Sequence, residues 1–159
     1  MSVNADLLKQ IIQRAPTMGH LDPGANLCII DTNIALDLLL FHDKKSQFLF
    51  DLLKRDELIA VGHFDTFYEF ADVICRAQFK LDPETINELL NEWVSLHTIV
   101  TETLPTNHYC KDTDDDKFFN LACVTGAKYL LSKDKKVLKA KGKAKRFNCL
   151  VLKPENLPI

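Results

Sequence analysis

The feature that most constrains this chain is a set of short apolar runs, each too brief for a helix and each ended by charge, glycine or a turn. Leu27-Cys28-Ile29-Ile30 stops at Asp31, and Leu58-Ile59-Ala60-Val61 closes at Gly62. Thr98-Ile99-Val100, Tyr129-Leu130-Leu131 and Cys149-Leu150-Val151-Leu152 follow. A continuous apolar run of roughly four residues suits a strand buried on both faces. The segments between these runs carry apolar residues at helical spacing: 34–42, 45–54, 64–78, 83–96 with Pro83 in the first turn, and 117–126 with Phe118, Leu121 and Ala122 inward. A short basic helix precedes the last run. Strands that alternate with helices predict an α/β fold of three layers, with a central parallel sheet of four to five strands and helices on both faces.

One helix falls outside this alternation. Leu7, Leu8, Ile11 and Ile12 recur at helical spacing between Asn4 and Pro16, which predicts an amphipathic helix over 4–15. Residues 1–26 therefore read as an N-terminal helical extension, joined through the turn-rich Asp22-Pro23-Gly24 to a domain over 27–159. A length of 159 residues suits one such domain. The longest apolar stretch, 34–41, is interrupted by Asp37, and the N-terminus lacks the basic-then-apolar order of a signal peptide. Five cysteines, Cys28, Cys75, Cys110, Cys123 and Cys149, are widely spaced and odd in number. They read as reduced, buried thiols, and the expectation is a cytoplasmic protein with no membrane segment. Zinc spacing is missing, since His108-Tyr109-Cys110 is the nearest approach to it.

Acidic residues fall where an open α/β sheet binds ligands, at the carboxyl ends of strands. Asp31 follows the first strand, and Asp134 lies just past the fourth in Leu131-Ser132-Lys133-Asp134. Either one alone reads equally as a capping acid. Asp112-Thr113-Asp114-Asp115-Asp116 precedes the helix leading into the fourth strand. Capping and the helix dipole account for one or two of these, whereas four so close repel one another, and a cation would remove that repulsion. Glu69 sits among aromatics on a helix that also carries Asp65 and Asp72, and by itself is an ordinary solvated helix face. Carboxylates without histidine or cysteine suit hard, oxygen-seeking ions, Mg2+ or Mn2+, of the kind that engage substrate phosphates.

Taken in order, these segments resemble the PIN-domain family, specifically its bacterial VapC-like branch of toxin–antitoxin proteins. The likeness spans 27–152. It is carried by the first strand with Asp31-Thr32-Asn33, by Glu69, by Lys111-Asp112-Thr113-Asp114-Asp115-Asp116-Lys117-Phe118-Phe119, and by Ala127-Lys128-Tyr129-Leu130-Leu131-Ser132-Lys133-Asp134. The resemblance implies a metal-dependent endoribonuclease that hydrolyses RNA phosphodiester bonds as the toxin of a toxin–antitoxin pair. Asp31, Glu69, Asp115 and Asp134 would be its catalytic acids. Asp31, Asp115, Asp134 and Asp112 would ligate the metal, and Thr32, Asn33 and Ser132 would orient them. Asp114 and Asp116 remain local charge or outer support. A small antitoxin blocking the cleft with a basic side chain, and a homodimer, are the partners this branch implies. Thr113 stands where proline is frequent and Lys133 where glycine is, and neither departure removes an acid.

The formal charge of −2 gives no global basic footprint, so contact with RNA must be local. Eight basic residues lie between Lys133 and Arg146, and Lys133, Lys135 and Lys136 sit beside Asp134. They read either as an RNA-backbone contact or as solvated surface. Two other functions compete with the nuclease. One is a catalytically weak PIN-like domain that binds RNA or a protein without cutting it. The other is a phosphatase with an aspartate nucleophile, which would need a second aspartate at the position held by Asn33.

Overall fold

The computed structural model describes residues 3–17 and 25–159, so the Asp22-Pro23-Gly24 turn lies outside the described residues. Five strands, β1 (Leu27–Ile30), β2 (Ile59–His63), β3 (His97–Val100), β4 (Tyr129–Leu131) and β5 (Leu150–Leu152), form one sheet in the order β3-β2-β1-β4-β5. Every pairing is parallel, with Leu27 opposite Ile59, and Cys28, Ile29 and Ile30 opposite Tyr129, Leu130 and Leu131. The sheet thus grows outward from β1 in both directions.

The two-residue period of each strand splits the core in two. Cys28, Ile30, Ala60, Ile99, Tyr129 and Leu131 face one layer, which contains α1 (Ala5–Gln13), α2 (Thr32–Leu39), α3 (Phe48–Lys54), α4 (Phe64–Ile74) and α5 (Pro83–Ser95). Ile29, Val61, Val100, Leu130 and Val151 face the other, which contains α6 (Asp116–Thr125), α7 (Lys135–Lys139) and α8 (Lys141–Ala144). This is the expected three-layer α/β/α arrangement. The N-terminal helix is capped by the Asn4 side chain, which accepts from the Leu7 amide at 3.0 Å, and its Leu8 and Ile11 are buried in the first core.

Several boundaries differ from expectation for local reasons. The second strand continues through Gly62 to His63, because the Phe67 ring packs where a side chain at 62 would stand; a Cβ there would lie 2.3 Å from the ring. The helix expected over 64–78 ends at Ile74, since Arg76 turns extended (φ −68, ψ 140) before a separate 3-10 turn at Ala77–Phe79. The second helix starts earlier than its apolar pattern because Asp31 caps it. Gly126, at φ 69, ends α6 in the left-handed conformation that glycine adopts without a Cβ penalty. Among the cysteines, Cys28, Cys110 and Cys149 are buried as expected, but Cys123 is exposed on α6. Among the described residues, no helix is long and apolar enough to cross a membrane.

Candidate active site

The chain reverses its winding between β1 and β4, and the crevice at the carboxyl ends of two such neighbouring strands is where open α/β sheets bind ligands. Asp31 and Asp134 both lie there. The crossover helix α6 begins at that same edge, which brings Asp115, and α4 leaves β2 from it and carries Glu69. A cleft of about 140 Å³ is lined by Asp31, Glu69, Asp115 and Asp134, together with Thr32, Asn33, Val73, Arg76 and Phe118. The structure thus gathers four acids separated by up to about a hundred residues of sequence.

Asp31 is 4 % exposed, an unusual place for a carboxylate. Its backbone N–H extends the sheet by donating to the Leu131 carbonyl at 3.1 Å, and its Oδ1 accepts from the Ile34 amide at 3.1 Å. Burial pushes its pKa up to about 7, the charges of Asp115 and Glu69 push the same way, and hydrogen bonds from Ser132 and Ile34 oppose them. Asp115 is likewise raised to about 6, by burial first and then by Asp134, Asp112 and Glu69, with Lys117 opposing. Ser132 is fully buried beside both strand ends: its hydroxyl opposes the rise in the Asp31 pKa, and its Oγ accepts from the Asp134 amide at 3.0 Å. Asp134 caps α7 by accepting from the Lys136 amide at 2.8 Å. Thr32 donates its hydroxyl to Glu69 Oε2, and Lys117 Nζ lies 3.2 Å from Glu69 Oε1. Asn33 is exposed on the rim.

Other sequence candidates sit elsewhere. Asp112 does not line the cleft; its carboxylate caps the 3-10 turn Thr113–Asp115 by accepting from the Asp114 amide at 3.0 Å, and it reaches the site only through its charge on Asp115. Asp114 is exposed. Asp116 is a buried staple: Oδ1 accepts from the Tyr109 and Cys110 amides at 2.8 and 2.7 Å, and Oδ2 lies 3.0 Å from His108 Nδ1. Lys133 donates to Asp37, a buried carboxylate on α2, at 2.7 Å, while Lys135 and Lys136 are exposed. Two cations at the cleft escape the sequence reading, Arg76 and Lys117. Arg76 lies just past the end of α4, close to Glu69 in the sequence; Lys117 meets Glu69 across 48 positions, which no local pattern signals.

The donor set is all oxygen and its charges repel one another, which fits a hard divalent ion. Among the described residues no three acids are drawn together as a ready-made ion cage, so binding would have to pull the carboxylates inward. Asp31, Asp115 and Asp134 line the cleft together and are the carboxylates that could hold such an ion. A bound ion would neutralise charge on a phosphodiester and activate water for in-line displacement.

A parallel sheet with an acidic cleft at its switch point defines an α/β protein of nuclease-like architecture. A protein-family model for the PIN domain matches residues 28–136, more than half of the chain and all four cleft acids, and the chain belongs to the PIN-domain family. PIN domains are generally nucleases, acting on nucleic acid and typically using divalent metal ions. No curated protein matches the chain.

Proposed function

We propose that this protein is a Mg2+- or Mn2+-dependent endoribonuclease, with Asp31, Glu69, Asp115 and Asp134 as its catalytic acids. The observation that carries the reading is the gathering of four carboxylates in one cleft, two of which, Asp31 and Asp115, are held hard to ionise by burial first and by neighbouring acids second. A structural role would pair such groups, and a metal-binding role would leave them waiting for a cation. Asp31, Asp115 and Asp134 then ligate the ion, Thr32 orients Glu69, and Ser132 sets the spacing of Asp31 and Asp134. Asp112 joins as a more distant charge. Lys135 and Lys136, exposed on α7, contact the RNA backbone, and Asn33, exposed where it lines the cleft, contacts it as well.

The toxin role is proposed from the resemblance to the VapC-like branch. An antitoxin carrying an arginine or lysine would satisfy these acids and exclude the metal, and a homodimer is the assembly this branch implies. The deciding experiment compares wild type with Asp31→Asn on a mixed single-stranded RNA in EDTA, Mg2+ and Mn2+. Products that need both the metal and Asp31 are expected. Undiminished cleavage by Asp31→Asn would sink the assignment, and RNA binding without products in any metal would favour a domain that binds without cutting.

A further inference from the structure

Besides its cap, α2 carries a second buried acid. Asp37 is 4 % exposed and stands within the buried run Ile34–Leu39. One ammonium group grips both of its oxygens, since Lys133 Nζ lies 2.8 Å from Oδ1 and 2.7 Å from Oδ2. Asp31 caps the same helix six residues earlier, roughly 9 Å along the axis at about 1.5 Å per residue. Lys133 is followed directly by Asp134. The contacts therefore close a ring, from Asp31 along α2 to Asp37, across the ion pair to Lys133, and through one peptide bond to Asp134. Asp31 and Asp134 line the acidic cleft, whereas Asp37 and Lys133 do not. Within the β4–α7 connection, Ser132 Oγ accepts from the Asp134 amide and Asp134 Oδ1 from the Lys136 amide, both local contacts; Lys133 spans 96 positions to the body of α2.

We infer that Asp37 and Lys133 are positioning residues for the acidic site, a clasp that fixes where Asp134 stands relative to α2 and Asp31. Against apolar residues of similar size, a buried ion pair contributes little net stability, because desolvation offsets its attraction. What the pair supplies is a tie of set length and direction, one ammonium held between the two oxygens of one carboxylate. Such a tie matters where like charges have to be kept side by side. The cleft acids are in that position, since Asp134, Asp112 and Glu69 act on Asp115, and Asp115 and Glu69 act on Asp31. Before a cation arrives, repulsion drives the acids apart, and the short connection that carries Asp134 is held against it from α2. Groups that support metal ligands in this way govern affinity without touching the ion.

This role rests on the metal-binding reading of the cleft, so its test has one arm with metal and one without, and neither needs cleavage. Mn2+ binding to the full chain, without RNA, is titrated by electron paramagnetic resonance for wild type, Lys133→Met and Lys133→Arg. Removing a positive charge near a cation site would by itself tighten binding or leave it unchanged. The clasp requires the opposite sign. Lys133→Met should bind Mn2+ about tenfold more weakly, the low end for loss of a group that supports metal ligands, because Ser132 still holds the Asp134 amide. Lys133→Arg keeps the cation and should bind as wild type does. In EDTA, hydrogen exchange followed by NMR should show the Asp134 and Lys136 amides of Lys133→Met opening roughly fivefold faster than the change in the β1 and β4 amides accounts for. Mn2+ affinity that is unchanged or tighter in Lys133→Met, or equally weakened in Lys133→Arg, would overturn the clasp. Exchange at Asp134 and Lys136 that merely follows the strands would overturn it too. If wild type binds Mn2+ and Lys133→Met binds it as well, only the clasp falls; if wild type binds none, the metal reading falls, and the exchange arm alone decides whether the pair holds Asp134.

Discussion

Asp115 and Asp116 are neighbours in the chain and opposites in the structure. Asp116 turns inward and collects two backbone amides and His108; burial would raise its pKa, but those three donors outweigh burial and hold it below the usual range. Asp115 turns toward the cleft, receives no capping hydrogen bond, and is raised to about 6 by burial and by Asp134, Asp112 and Glu69. One carboxylate has donors and holds a loop; the other lacks them and, on the proposed function, is left for a metal ion. Asp31 belongs with Asp115 despite its two hydrogen bonds, because burial and the facing acids still dominate it. On the proposed function, this difference separates a structural acid from a metal-binding one more sharply than position in the acidic run does.

Breaking the functional side should give the largest effect. Asp31→Asn retains an acceptor for the Ile34 amide but loses the charge, and we expect RNA cleavage to fall by more than about 100-fold, beyond what loss of a supporting residue around a metal causes. Stability should not fall, because the charge removed is one that burial penalises. Cleavage rate and urea midpoint, measured on the same preparation, check both halves. A large loss of stability would place Asp31 with Asp116 and undo the contrast.

The structural side should respond in reverse. Asp116→Ala leaves the Tyr109 and Cys110 amides without their acceptor, and at about 1–3 kcal/mol per unsatisfied buried group the expected loss is roughly 3 kcal/mol of stability. Urea denaturation measures it. Residual cleavage per folded molecule should exceed that of Asp31→Asn.

How much of this was legible in the sequence follows the same division. The strands, their helices and the doubly wound sheet were readable because buried parallel strands are continuous apolar runs, and all five occur where those runs fall. Asp31 and Asp134 were readable because they terminate strands. The resemblance separates Asp115 from Asp116, but the capping role of Asp112 and the reason Asp116 turns inward are not in the sequence, because they depend on where the 109–114 segment presents its amides. The Asp37–Lys133 pair was equally hidden: its partners are 96 positions apart, and Asp37 shows in the sequence only as an interruption of an apolar stretch.

The pH dependence of the metal-free protein should sharpen the contrast, once one remote group is accounted for. His97 is buried between Phe67 and Trp93 and donates from Nδ1 to the Trp93 carbonyl at 2.7 Å. Burial lowers its pKa from 6.5 to about 4, against the pull of that carbonyl. The folded pKa is depressed, so the unfolded chain takes up the proton first: stability is full above 6.5 and declines toward about 4, by up to roughly 3 kcal/mol. Asp31 and Asp115 are raised and act in the opposite sense, costing stability as pH rises through about 6 and about 7. Urea midpoints across this range should therefore show a shallower acid decline in His97→Gln than in wild type. Parallel profiles would mean that His97 is not the group responsible.

The smallest effects should separate two lysines that flank Asp134 in the chain. Lys133 is tied to the buried Asp37, whereas Lys136 is exposed and only its backbone amide is engaged, by Asp134. Lys133→Met leaves Asp37 without its cation; because Lys133 itself is half exposed, water offsets much of the loss, and about 1–2 kcal/mol of stability is expected to go. Lys136→Ala should leave stability unchanged, weaken RNA binding a few-fold, and reduce the slope of log K against log salt by about 0.7, the value for one lost phosphate contact on a single strand. Salt titrations of RNA binding by both variants measure this. An unchanged slope for Lys136→Ala would remove it from the RNA path, and a reduced slope for Lys133→Met would mean that RNA competes with Asp37 for the same ammonium group.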